Sequence, residues 1–144
     1  MDSESFQKYL KERYEPEVNW YDKKSILNQR RYRYLQSVVI ILSAITPVLV
    51  AIKVAQWPAV VISAIVAIGT TMLKTFKYQE NWIDYRTTCE TLKKEIYYYT
   101  GGIGDYKETD DRESLFVERV ESLISRENTM WLTAQRPKTE KGNK

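Results

Sequence analysis

The chain has 144 residues, one domain's worth, with 43% hydrophobic and 28% charged side chains and a net charge of +3. It holds no histidine and a single cysteine, Cys89, which excludes Ser-His-Asp and Cys-His catalysis, histidine-ligated metal and an intramolecular disulfide. So small a positive excess makes no case for nucleic acid as a partner, and no motif marks an enzyme or a cofactor.

At the N-terminus, helical segments are expected over about 4–33. Phe6, Tyr9 and Leu10 form one amphipathic piece, with an interruption expected near Pro16, where the helix loses a donor. Trp20, Leu27 and Tyr34 then recur at heptad spacing and lead into the apolar part of the chain.

Nearly all the aliphatic content lies between Leu35 and Leu73. Tyr34 to Ile52 is a run of 19 residues without charge, and Val54 to Leu73 is a run of 20. As helices, each covers about 28 to 30 Å, the thickness of a bilayer's hydrocarbon core. Two spans are therefore expected, at about 34–52 and 55–73. A buried hairpin in a soluble protein is the alternative, but the remaining segments are too short and too charged to surround it. A cleaved signal peptide fits less well, because the first apolar run begins far from Met1.

The connection from Lys53 to Trp57 is so short that the spans must be antiparallel neighbours, and Pro58 suits a first helical turn. Lys53 and Trp57 are read as interface anchors on one side. Arg30, Arg31, Arg33, Lys74 and Lys77 are the anchors on the other side, interleaved with Tyr32, Tyr34, Phe76 and Tyr78. The excess of Lys and Arg on that second side places both termini in the cytoplasm.

Within the first span, Gln36, Ser43 and Pro47 share a face, with Thr46 beside them, and Pro47 should kink or loosen the helix while nearby hydroxyls satisfy the freed carbonyl of Ser43. Within the second, Ala59, Ser63, Ala67 and Thr71 repeat every fourth residue, with Thr70 adjacent. This stripe reads either as helix packing or as the lining of a path. No charge lies in either stretch, so ion-coupled transport on buried charge has nothing to work with.

Beyond Leu73, Tyr78, Trp82, Tyr85, Cys89, Leu92, Ile96 and Tyr99 follow an alternating four-three spacing, the seam of a heptad repeat. The second span is therefore expected to continue as an unbroken rod over 74–99. The Gly101-Gly102-Ile103-Gly104 run reads as its stop. A phosphate-cradling loop would need a preceding strand and a following Lys-Ser/Thr pair. Asp110 and Asp111 supply an N-cap for a last helix at about 110–134. Its apolar face carries Phe116, Val120, Leu123, Ile124 and Trp131. Glu118 and Glu121 read as an ion-pairing surface rather than a metal site. Arg136 to Lys144 reads as a disordered basic tail.

These readings give an all-α membrane protein, with a two-helix transmembrane hairpin and long cytoplasmic helical extensions that form a helical bundle. Trp20-Tyr21, the basic run, Pro47, Tyr78-Gln79-Glu80-Asn81-Trp82, Tyr85-Arg86, Leu92-Lys93-Lys94-Glu95, the glycine turn, Phe116-Val117-Glu118-Arg119-Val120-Glu121 and Glu127-Asn128 with Trp131 together resemble the SLATT superfamily of bacterial two-transmembrane domains. The likeness covers about residues 5 to 135, read as one domain over 1–135, and is strongest to a stand-alone branch classed as a domain of unknown function. It implies a homo-oligomeric, pore- or channel-forming effector of antiphage defence in the bacterial inner membrane, gated through its cytoplasmic helices. A signalling or sensor protein would be its partner, since no sensor domain is fused here. The competing reading is a non-conducting anchor that recruits a cytoplasmic partner through its aromatic faces. A pore needs several subunits, four or more, because two helices cannot enclose an aqueous path.

Overall fold

The computed structural model describes residues 2–52 and 56–135. Among these the chain is helical: α1 (Ser3–Tyr9), a π-helical stretch (Leu10–Tyr14), α2 (Glu15–Ala51), α3 (Gln56–Phe76), α4 (Tyr78–Gly101), a 3-10 turn (Gly104–Lys107) and α5 (Arg112–Gln135). Two compact units divide it. A hairpin unit comprises Asp22–Arg86, and a terminal unit draws on Met1–Tyr21 and Thr87–Lys144. The expected tail at 136–144 and the anchor Lys53 lie outside the described residues.

In the hairpin unit, four residues separate Ala51 from Gln56, so α3 must turn back along α2. The two helices meet closely at Gly69, where an added Cβ would stand 2.7 Å from Val39 Cγ2. Glycine costs a helix about 1 kcal/mol relative to alanine, and here it makes room for a β-branched neighbour. The buried and half-buried positions of α3 include Ala59, Ile62, Val66, Gly69 and Leu73, with Thr70 beside them, and those of α2 include Leu35, Val39, Leu42, Thr46 and Leu49. Both sets alternate three-four, as coiled-coil seams do. The outer surfaces are apolar and uncovered: α2 exposes Ile40, Ile41, Val48 and Val50, and α3 exposes Val61, Ile65, Ile68 and Met72. Two helices are thus long and apolar enough to cross a membrane. The apolar window of the first is 0% buried within the chain, and that of the second 11%.

The unbroken rod expected beyond Leu73 does not form. Lys77 separates α3 from α4 with φ of 48°, the left-handed region that costs a non-glycine residue about 1–2 kcal/mol. Local contacts hold the turn. The Asn81 backbone N–H donates to the Lys77 carbonyl at 2.9 Å, and Asn81 Nδ2 donates to the Phe76 carbonyl at 3.2 Å. The rings of Phe76 and Tyr78 stack across the turn, and Lys77 Nζ lies 3.5 Å from Glu80 Oε2. The pairing with α2 keeps its count past this point. Arg86 reaches Asp22 at 3.4 Å, and seventeen residues separate Arg86 from Gly69 just as seventeen separate Val39 from Asp22.

Pro47 lies inside α2 without ending it. The neighbouring hydroxyls do not serve its freed carbonyl: Ser43 Oγ donates to Val39 and Thr46 Oγ1 to Leu42. Near Pro16 the expected interruption takes the form of the π-helical stretch. The Glu15 N–H donates five residues back, to Leu10, and the wider turn accommodates a ring that would clash with the carbonyl four residues before it.

The terminal unit is built around aromatic rings. Phe6, Tyr99 and Phe116 lie within 4.9 to 5.7 Å of one another, centroid to centroid. Tyr14 joins through Phe116 at 5.3 Å and Tyr106 through Tyr99 at 5.9 Å. Such pairs contribute about 0.5–1.5 kcal/mol each beyond the area they bury. Cys89, Leu92, Val120 and Ile124 complete the apolar interior. The glycine run ends α4 as expected. Gly102 takes a positive φ of 59°, and the Ile103 N–H closes back on the Tyr98 carbonyl at 3.0 Å, satisfying a carbonyl that the helix end leaves open. Asp111 caps α5, accepting from the Ser114 backbone N–H at 3.0 Å and from its hydroxyl at 2.6 Å. These bonds hold the Asp111 carboxyl down at about 2. Of the apolar face expected on α5, Phe116, Val120 and Ile124 are buried and Leu123 half-buried. The side chain of Trp131 is outside the described ones.

Candidate functional site

The residues singled out in the apolar stretches divide between the seam and the outer surface. Ala59 is buried, and Gln36, Thr46 and Thr70 are half-buried. Ser43, Pro47, Ser63, Ala67 and Thr71 are exposed. Hence the fourth-residue stripe leaves the hairpin seam after Ala59. Each hydroxyl is satisfied within its own helix: Ser63 donates to Ala59, Thr70 to Val66 and Thr71 to Ala67, all at 2.8 Å. A hydroxyl so bonded can face lipid or another helix without leaving an open donor.

At about 100° per residue, α3 presents three sectors: the seam, a face of large aliphatics (Val61, Ile65, Ile68, Met72), and a face of small residues (Ser63, Ala64, Ala67, Thr71). The small face, with Val60 at its start, is open within the chain, and from Ser63 onward it is shallow enough for a second backbone to approach.

Of the anchors, Arg30, Arg31, Arg33, Trp57, Lys74 and Lys77 are exposed. No side chain among the described residues pairs with Arg30, Arg31 or Arg33.

The residues of the expected heptad seam fall in both units. Tyr78, Trp82 and Tyr85 are half-buried in the hairpin unit, and Trp82 Nε1 is enclosed without an acceptor among the described residues. In the terminal unit Cys89 and Leu92 are fully buried, and Ile96 and Tyr99 are half-buried. Cys89 is an interior thiol, with Sγ 3.7 Å from the Val18 carbonyl.

Sequence reasoning missed the most polar element of that interior. Glu95 is 4% exposed. Its Oε1 accepts from the Tyr106 hydroxyl and from Arg119 Nε, each at 2.5 Å, while Arg119 Nη1 also donates to Asp105. Burial, and then the bond to Glu95, push the Tyr106 phenol well above its ordinary range. A second polar link joins the N-terminal helix to α5. Arg13 grips Glu121 through Nε at 3.1 Å and Nη2 at 3.2 Å, and Tyr9 donates to the same carboxylate at 2.9 Å. The guanidinium holds the Glu121 carboxyl below its usual range. The Tyr14 hydroxyl donates to the Leu92 carbonyl at 2.8 Å, and burial pushes this phenol up to about 12. These are fixed, paired groups that lock packing; none stands free over a cleft as an acid or base would. Among the described residues no three metal-ligating side chains converge.

No curated protein and no solved structure matches the chain. A family model described as a protein of unknown function matches residues 16–114, which takes in α2, α3, α4 and the turn to α5. The chain therefore belongs to the DUF4231 family.

Proposed function

We propose that this protein is a homo-oligomeric membrane protein of the bacterial inner membrane whose hairpins assemble into a pore, with both termini in the cytoplasm. The observation that carries the reading is the exposure of the two apolar helices. The core helix of a soluble protein would be covered by its own chain, whereas these windows are 0% and 11% buried. Left in water, a contiguous apolar surface of that size would aggregate; a bilayer and further copies cover it. The open small-residue face of α3 supports contact between copies, distinct from the aliphatic face that suits lipid. The basic residues gathered at the ends of the spans away from the hairpin turn support the orientation. The SLATT-like features supply the effector role. A trigger would act by binding the open and closed assemblies unequally, and about 5.5 kcal/mol of difference moves the population from 1:99 to 99:1.

The second reading, a non-conducting anchor, is favoured by exposed apolar side chains in the terminal unit: Trp20, Tyr97 at 72% and Ile103 at 55%. Conductance across a planar bilayer separates the two. Ser63→Leu and Ala67→Leu should abolish or sharply alter single-channel current in a pore. A wild-type protein that inserts and passes no current under any applied voltage would leave the anchor.

A further inference from the structure

We infer that the face of α2 formed by Ile26, Gln29, Arg30, Arg33, Tyr34 and Ser37 binds the phosphodiester headgroup of an anionic phospholipid. These side chains line an open cleft of about 500 Å³. They recur at three- and four-residue spacing, so all project to one side of the helix. The inference rests on the membrane reading above and deepens it, from a general preference for a membrane to a site with a chemical class of ligand.

Three observations converge. Every polar side chain in the cleft can donate (two guanidiniums, a phenol, a hydroxyl and an amide), and none is acidic. Guanidinium is the side chain whose fork geometry matches a phosphate's oxygens. Secondly, the arginines lack an internal counter-charge. The acids of the hairpin unit are Asp22, Glu80 and Asp84. Arg86 takes the first of these and Lys77 the second, while Arg30, Arg31 and Arg33 stand side by side with no partner among the described residues. Their charge is open to an anion from outside. Thirdly, the cleft straddles the point where the chain turns from charged to apolar. The uncharged run begins at Tyr34, so Ile26 and Tyr34 supply apolar walls beside the arginines, as the glycerol and upper acyl carbons below a phosphate require. The hairpin of a second copy fits the cleft less well, because the hairpin unit has only Asp84 to bring to it outside the pairs just named.

The test uses the full-length protein in nanodiscs of phosphatidylcholine with a minor fraction of phosphatidylglycerol, with native mass spectrometry of the lipids that stay bound on ejection. The wild type should retain phosphatidylglycerol over phosphatidylcholine, and Arg30→Gln with Arg33→Gln should cut that preference by roughly thirtyfold, about fivefold for each arginine. Lys94→Gln with Lys107→Gln removes the same charge elsewhere and should leave it intact. Equal loss in both double variants would show diffuse attraction and overturn the site. So would competition by millimolar inorganic phosphate, which would point to a free-phosphate site. A drop in subunit number without loss of lipid selectivity would make the cleft a contact between copies. Alkaline carbonate extraction of membranes tests the underlying reading separately. Release of the protein into the soluble fraction would overturn both, whereas retention with no lipid selectivity would overturn the cleft alone.

Discussion

A Glu95→Gln variant keeps the shape of the side chain and removes its charge. In the native chain Oε1 accepts two hydrogen bonds at 2.5 Å, from Tyr106 and from Arg119, at a residue 4% exposed. Both bonds go to the one oxygen, which in glutamine still accepts them, but as a neutral amide rather than a carboxylate, so each loses its charge assistance and Arg119 loses a counter-charge. A hydrogen bond to a charged group contributes about 1.5–3 kcal/mol. Arg119 keeps Asp105 and its side chain is 38% exposed, so solvent and that second carboxylate offset part of the loss. The expected cost is about 2 kcal/mol. Glu95→Ala should cost more, about 3–5 kcal/mol, because it strips the partner from a buried pair and opens a void. Adding Arg119→Met to Glu95→Ala should recover part of that loss, since the uncompensated charge goes with it. Denaturant unfolding in mild detergent, followed by hydrogen exchange of residues 92–120, measures all three. A Glu95→Gln variant within 0.5 kcal/mol of wild type, or a double variant as costly as its singles combined, would refute the reasoning.

Gly69→Ala should destabilise the hairpin by about 1–3 kcal/mol, because valine in a helix has one strongly preferred rotamer and cannot swing Cγ2 away from a Cβ at 2.7 Å; Val39→Ala should rescue it, and a neutral Gly69→Ala in the same unfolding assay would contradict the close approach. Lys77→Gly should stabilise by up to about 1 kcal/mol by relieving the left-handed backbone, at the expense of an exposed pair with Glu80 worth a few tenths; a loss of stability would argue for an unbroken helix there. Asp111 has a folded-state value of about 2 against an ordinary 3.8, so its contribution is present above the ordinary range and disappears as pH falls from about 4 to 2. Accordingly Asp111→Ala should unfold earlier than wild type at pH 7 and together with it near pH 2, and a gap independent of pH would exclude the capping carboxylate as its source.

Several of these features could be read in the residues alone, and the reason differs from case to case. Cys89, Leu92 and Ile96 declared themselves because their seven-residue period stands out against charged neighbours. The α5 face did so for the same reason, as did the glycine stop, where Gly102 and Gly104 take backbone angles that other residues resist. Inside the apolar stretches the period is degenerate: with no polar face to fix the phase, Ala59, Ser63, Ala67 and Thr71 looked like a packing stripe, while the hairpin uses Ala59, Ile62, Val66, Gly69 and Leu73. Glu95 sits in a Lys93-Lys94-Glu95 run that reads as solvated surface. Its partner Arg119 is 24 residues away, and no local pattern links them. The left-handed Lys77 carries no signature at all, since lysine is an ordinary helix former. Pro16, by contrast, is a visible disturbance, but its form, a widened turn instead of a break, has no pattern in the residues around it.

The central claim is that hairpins with an uncovered apolar surface assemble in a bilayer around an axis. Native mass spectrometry of the full-length protein in nanodiscs counts the subunits directly. Four or more identical subunits in a closed assembly is the predicted result, and it leaves room for an axial path between hairpins. A monomer or dimer that persists across lipid compositions would contradict the pore, since two or four helices of this kind leave no enclosed channel.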